Sequence, residues 1–308
     1  ISKRFSGYWR TFRLTSRLQQ DGITLYHGLS NEIPARIHRT GIVPVVTIHD
    51  LIFMRLPELY PRADRFLYRK KVAYAVKHAR KIIAASGQTK QDLVELMGVP
   101  EEKIEVIYQG CHPRFLASVS PEKLSHIKTH YRLPASYLLY VGTIEARKNL
   151  LRIVQALHRG KIDLPLVVVG KKTGYYRQVA SYIERHGLTQ VQFLSHVPDD
   201  HLPALYQGAL AFIYPSSYEG FGIPVLEALN SGIPVITSRG GCLEETAGGG
   251  GYLVNPADTD EMIQAIGKVS GDQALREKLI KEGNAHALKF RETVTIPQLH
   301  KLYMSCKP

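Results

Sequence analysis

The chain is expected to be α/β, with two doubly wound domains in series, on three observations. Short runs rich in Val, Ile and Leu alternate with helix-like stretches over most of its length. The runs are unbroken rather than apolar at every second residue, which marks strands buried on both faces of a parallel sheet. A chain of 308 residues exceeds one ordinary core and suits two, and Gly, Pro and Ser interrupt the pattern around residues 110–120, where a linker is expected.

In the first half, strands are expected at 24–27, 43–48, 81–85 and 103–108, with helices near 63–79 and 88–97. Gly98 closes the second of these helices as a left-handed cap. The segment before Gly22 reads as helical and basic. In the second half, strands fall at 137–141, 164–169, 191–194, 210–214, 234–237 and 251–254. Helices fall between them, near 150–159, 175–186, 200–208, 224–231 and 244–247, and continue near 259–269, 272–288 and 293–305. The domains are set at 1–115 and 116–292, with 293–308 as a terminal helix packing back toward the first domain. In folds of this class ligands bind at the carboxyl ends of the strands, which is where Gly142, Gly170, His196 and Glu219 lie.

Apolar residues make up 44% of the chain, and no window reaches the roughly 18 unbroken apolar residues of a membrane span. No signal peptide is visible, and the first residue is Ile1 rather than methionine, so a fragment or processed chain is expected. Cys111, Cys242 and Cys306 match no metal or redox spacing, which suggests a reducing compartment and a cytoplasmic protein. The net charge of +13 is lopsided: residues 1–135 hold 22 Lys and Arg against 11 Asp and Glu, and the remainder 18 against 16. That asymmetry favours an anionic partner for the first half. No nucleic-acid motif or aromatic platform accompanies the charge, so a nucleic-acid partner is not expected. Residues 62–81 form a basic helix candidate, read either as contact with an anionic membrane or lipid diphosphate or as a solvated face.

The most informative segment runs from Ser217 to Ala228. It follows the apolar run ending at Tyr214 and leads, through Gly220 and Gly222, into a helix with Pro224 in its first turn. A loop feeding a helix N-terminus offers N–H groups and a positive dipole end, which suits phosphate. Glu219 and Glu227, at either end, could each accept hydrogen bonds from hydroxyls. Phosphate in the middle with hydroxyls at both ends describes a nucleotide-sugar.

Two glutamates with seven residues between them around Gly220-Phe221-Gly222-Ile223-Pro224 resemble the signature of family 4 retaining glycosyltransferases, of the group 1 type. The resemblance runs from about Tyr26 to the end and implies the GT-B architecture, two Rossmann-like domains facing across a cleft. It implies that Glu219 touches the donor sugar and Glu227 holds the ribose. Arg147 and Lys148, after Gly142, match the family's donor-phosphate site, where the pair also neutralises the leaving diphosphate. Asn149 behind them is expected to cap a helix. Gly170 and Lys171, and similarly His196 and Val197, fall where the family places the nucleotide base. His49, ending the strand at 43–48, resembles a histidine held near the transferred sugar, where it would hydrogen-bond a hydroxyl; alternatively it caps a loop. His27 is a weaker candidate for acceptor binding. The run Gly248–Gly251 is expected to be a flexible turn.

Family members open with a strand and glycine-rich loop that residues 1–25 do not match, so the first domain is expected to be incomplete at its start. The implied reaction moves a hexose from a nucleoside-diphosphate sugar, GDP-mannose or a UDP-sugar, to a hydroxyl of a glycan or lipid-linked acceptor at the inner face of a membrane. The nucleotide-sugar is a substrate, and neither a cofactor nor a metal is implied, because the cations take the metal's place. Alternatives are a nucleotide-sugar epimerase of the same fold, or a donor-binding protein inactive as this fragment. A pyridoxal phosphate phosphorylase would need a Schiff-base lysine, for which no recognisable setting exists.

Overall fold

A computed structural model describes residues 6–306. The chain forms two compact units, one running through Gln109 and resuming at Glu292, the other Gly110–Arg291.

The first unit is built on four parallel strands, β1 (Leu25–Gly28), β2 (Val43–Ile48), β3 (Lys81–Ala84) and β4 (Ile104–Val106), adjacent in that order. Their apolar runs are unbroken because both faces are covered. Val46, Ile48, Ile82 and Ala84 pack with Val72, Ala75 and Leu93. Val45 and Ile83, pointing the other way, meet Leu302 of the helix Glu292–Ser305 and Cys306 directly after it. The helix Gly87–Met97 starts at Ser86, whose hydroxyl accepts from Thr89 N, and stops at Gly98 with φ 62°. The basic segment before Gly22 is helical at Ser6–Phe12 and Leu14–Gln20.

The second unit carries six parallel strands: β5 (Leu138–Val141), β6 (Leu166–Val169), β7 (Val191–Leu194), β8 (Ala211–Tyr214), β9 (Val235–Ser238) and β10 (Gly251–Val254). Their spatial order is β10-β9-β8-β5-β6-β7. β5 is the first strand in sequence and lies in the middle, with Leu138 paired to Leu166 of β6 on one side and to Ala211 of β8 on the other. The chain winds outward one way from β5 and then the other from β8. The β5–β8 pair is therefore the topological switch point, beyond whose carboxyl ends such sheets bind ligands. The helix Leu150–Arg159 covers the sheet with Leu150, Ile153, Val154 and Leu157, a 3.6-residue stripe.

Three local features differ from expectation. The segment at 110–120 includes a 3-10 turn, Pro113–Phe115, with Phe115 buried, and a helix not foreseen, Pro121–His130, follows from Ser120 as N-cap. Asn149 makes no side-chain cap: at φ 64° it turns its amide away from the helix, to donate to the carbonyls of Pro215 at 3.2 Å and Pro256 at 2.6 Å. The glycine run is a packed 3-10 turn, Gly248–Gly250, rather than a flexible one. A Cβ on Gly250 would lie 2.4 Å from Gly283 Cα in the helix Gln273–Ala287, so only glycine permits this approach.

Candidate functional site

Of the residues read from sequence, Gly142, Arg147, Lys148 and Glu219 gather at the switch point of the second unit. Gly142 leaves β5, and its N–H donates to Val169 O of β6 at 2.9 Å. Gly170 leaves β6 so close to this loop that a Cβ on it would stand 1.9 Å from Gly142 O. Gly170→Ala is therefore expected to push the two loops apart. The variant should melt several degrees below the parent; an unchanged melting curve would show that the loops have slack.

Beyond Gly142 a 3-10 turn, Ala146–Lys148, folds Arg147 back over the end of β8. Its guanidinium makes ion pairs with Glu219 Oε2 at 2.6 Å and Glu145 Oε1 at 2.7 Å, and also donates to Tyr218 O. The two side chains of the central pair are only 11% and 13% exposed. Burial opposes the charge on Arg147, but Glu219 and then Glu145 outweigh it and hold the guanidinium's pKa above its usual value. Lys148 Nζ stands 3.9 Å from Glu145 Oε1 and 5.6 Å from the centroid of the Tyr214 ring. Tyr214 donates its hydroxyl to Glu219 Oε1 at 2.9 Å, and burial, then Glu219, raises its pKa so that it stays a donor.

The loop carrying Glu219 is fixed along its length. Ser217 N donates to Arg147 O at 2.8 Å, Cys242 Sγ to Glu219 O at 3.0 Å, and Thr246 Oγ1 to Phe221 O at 2.7 Å. Phe221 is buried, and Gly222 takes φ 113° as the N-cap of the helix Ile223–Asn230, with Pro224 in its first turn. A Cβ on Gly222 would meet Leu243 Cδ2 at 2.8 Å, so glycine serves both the turn and the close packing.

Glu227, on that helix, accepts a hydrogen bond from the buried Tyr206 hydroxyl at 2.9 Å. Burial pushes the Glu227 carboxyl up to about 7, against the lowering effect of Tyr206. Lys171 lies on the loop after β6, its carbonyl accepting from Ile144 N at 2.9 Å. His196 and Val197 follow β7; His196 is exposed at φ 55°.

His49 belongs to the first unit, directly after β2. Nε2 donates to Leu29 O at 2.7 Å, so Nδ1 accepts from Gln109 Nε2, and both ring nitrogens are engaged within the unit. His27 is likewise held between Tyr303 and Thr47, and burial, then His49, lowers its pKa. Among the described residues no cluster of His, Cys, Asp or Glu could hold a metal, and no helix is long and apolar enough to cross a membrane.

Sequence reasoning passed over Glu145, Tyr206 and Tyr214. Glu145 carried a usable signal, a carboxylate two residues before Arg147 in the same loop. The tyrosines read only as core.

Two parallel α/β units, one with its polar cluster at the switch point, place the chain in the GT-B fold class. The solved structure of Anabaena HepE in complex with UDP and glucose has this fold, with a TM-score of 0.77 at 21% identity over 95% of this chain and 81% of that one. The model for glycosyl transferases group 1 matches residues 126–286, and that for glycosyltransferase family 4 matches residues 2–115. The O-antigen chain mannosyltransferase B of Escherichia coli is 31% identical over 86% of this chain and 70% of its own length. The serotype-specific mannosyltransferase WbdA, also of Escherichia coli, is 28% identical over 87% of this chain, which spans only 34% of that protein. The chain belongs to the group 1 glycosyl transferases of glycosyltransferase family 4 and is a glycosyltransferase.

Proposed function

We propose that the chain transfers a hexose, with mannose the leading candidate, from a nucleoside-diphosphate sugar to a hydroxyl of a glycan or lipid-linked acceptor in polysaccharide biosynthesis, with retention of configuration. The observation that carries this reading is the largely buried Arg147–Glu219 pair, extended by Glu145 and Lys148, at the end of the central strands of the second unit. The 31% identity with an O-antigen mannosyltransferase supports the sugar, and a neighbour solved with UDP and glucose supports a nucleotide-sugar donor. Arg147 and Lys148 receive the diphosphate, the fork and the point charge together stabilising the leaving group as its bond to the sugar's anomeric carbon breaks. Glu219 orients the sugar, and Glu227 the ribose. Gly142, Gly170, Lys171, His196, Val197 and the backbone from Gly220 to Ile223 line the donor. The acceptor hydroxyl attacks the same face of the sugar and passes its proton to the departing phosphate, so positioning supplies much of the rate. His49 is the first unit's candidate for a sugar hydroxyl, which would displace Gln109 from Nδ1.

Calorimetric titration with UDP, GDP and ADP, with and without magnesium, tests the donor site. Saturable binding of one of them without metal supports it and names the base; no binding of any to the folded chain would overturn it.

Glu227 adds a pH dependence. Its folded pKa of about 7 lies above the unfolded value, so the folded state holds a proton the unfolded state lacks over the interval below about 7. Stability from this group is therefore greatest at acid pH and falls as pH rises through that interval. A ribose diol donates hydrogen bonds and favours the carboxylate. Nucleoside diphosphate should therefore bind several-fold more tightly at about pH 8 than at about pH 6, with proton release. The terminal phosphate itself titrates near about 6, so the comparison is with Glu227→Gln, in which the extra proton release should vanish. Equal proton release in both proteins would remove Glu227 from the ribose site.

A further inference from the structure

Glu219 and Glu227 are held differently, and the difference concerns the oxygens left for a ligand. Both oxygens of Glu219 are engaged within the second unit, Oε1 by the Tyr214 hydroxyl and Oε2 by Arg147. Glu227 has one such partner. Its Oε2 accepts from the Tyr206 hydroxyl at 2.9 Å, while among the described residues no donor bonds Oε1 and no cation pairs with the carboxylate. The residue is half-buried, which leaves Oε1 to a hydroxyl from outside.

The Tyr206 hydroxyl is itself fixed in space. The residue lies on the helix Leu202–Gln207 and is fully buried. Its ring packs edge-on against Phe115, 5.5 Å between centroids, and against Phe212 of β8 at 5.2 Å. Its oxygen also stands 3.5 Å from Pro224 O, in the first turn of the helix that carries Glu227. A ring packed on both sides leaves its hydroxyl one direction. A glutamate, by contrast, has several rotamers to lose, and here the phenol removes that freedom before any ligand arrives.

The other groups around Glu227 cannot take this part. Arg114, in the turn Pro113–Phe115, acts on the carboxyl only through its field, and its guanidinium is paired at 3.3 Å with Asp199, whose charge opposes the effect. Cys111 accepts from Asn230 Nδ2 at 3.4 Å, and burial, then Glu227, pushes its thiol up to about 11. Burial, then Glu227, also raises the pKa of Tyr206, so its hydroxyl remains a donor.

We propose that Tyr206 is the positioning residue for the donor's ribose: its hydroxyl holds Glu227 Oε2 so that Oε1 meets the ribose diol, and the chain's preference for a ribose over a sugar without hydroxyls depends on that one hydrogen bond. The proposal rests on the ribose reading of Glu227, and the test separates the two.

Calorimetry compares UDP, GDP and ADP with their 2′,3′-dideoxy counterparts on the parent chain, Tyr206→Phe, Glu227→Ala and the double variant. The parent should prefer the ribose form of the nucleotide it binds by about tenfold or more. Tyr206→Phe keeps the ring and should cut that preference about threefold to tenfold, with dideoxy affinity within about twofold of the parent's. Glu227→Ala should abolish the preference, and Tyr206→Phe added to it should change nothing further, because the two residues act as a unit. The preference also has a pH profile. A hydrogen bond from Tyr206 favours the carboxylate, so in Tyr206→Phe the rise of the preference with pH should move up by about one unit. A tyrosine that only fills space would not move it. A parent that binds ribose and dideoxy forms alike, or binds neither, would end the ribose reading of Glu227 and this proposal with it. Preference kept in Tyr206→Phe but lost in Glu227→Ala would overturn the positioning role alone. Dideoxy affinity lost in step with ribose affinity in Tyr206→Phe would overturn it in favour of packing.

Discussion

Arg147→Ala is expected to weaken nucleoside diphosphate binding by about tenfold to a hundredfold, the span of one or two charge-assisted hydrogen bonds, and to destabilise the fold at the same time. The guanidinium is the shared partner of Glu219 and Glu145. Its loss leaves Glu219, 13% exposed, with the Tyr214 hydroxyl and, among the described residues, no cation within salt-bridge distance, and leaves Glu145 with Lys148 at 3.9 Å. Removing one member of a buried pair typically costs about 3–5 kcal/mol, because the remaining charge is desolvated without compensation. The backbone should survive the change, since the contacts from Ser216 and Ser217 go to the Arg147 carbonyl. Chemical denaturation measures the stability term and calorimetry the affinity. The affinity loss should be large for the diphosphate and small for the nucleoside, which carries no phosphate. Arg147→Lys retains charge but cannot fork to three acceptors, and should fall between. Parental diphosphate affinity in a folded Arg147→Ala chain would take this residue out of the donor site.

What could be read without the fold was what local chemistry decides. The strands were legible because both faces of each sheet are covered, so Val45 and Val46 are both apolar although they point to different cores. The turn from Gly220 to Pro224 was legible because backbone at φ 113° and a first-turn proline leave few residue choices. The helix Pro121–His130 was missed despite its Ser-Pro-Glu start, because only Ile127 on it is buried and the apolar stripe is too thin to see. Asn149 has the composition of a cap, but its left-handed turn sends the amide to two loop carbonyls that are distant in sequence. Tyr206 and Tyr214 have the same limitation. Their rings belong to the core and their hydroxyls reach Glu227 and Glu219, a direction set by packing that no local pattern records.

The tyrosine and arginine contacts also determine how Glu219 is best tested. Glu219→Ala would open a gap beside a buried guanidinium and confound chemistry with folding, whereas Glu219→Gln keeps the shape. The amide oxygen can still accept from the Tyr214 hydroxyl, and the loop's own anchors, Cys242 Sγ to Glu219 O and Thr246 Oγ1 to Phe221 O, do not involve the side chain. The change removes a charge and sets the amide's N–H group against Arg147, which keeps Glu145 and Tyr218 O as partners. If Glu219 orients the donor sugar, the transfer rate should fall about a hundredfold to a thousandfold, the usual cost of removing a group aimed at the reacting centre. Diphosphate affinity should meanwhile hold or improve, since Arg147 gives up its most buried competitor. The signature is a loss in kcat carried undiminished into kcat/KM, with the free nucleotide binding as before. If Glu219 serves only to hold Arg147, the variant should instead resemble Arg147→Ala, losing diphosphate affinity in step with activity. Single-turnover rates and nucleotide titration on the same preparation separate these outcomes, because one role is exercised on the sugar and the other on the phosphate.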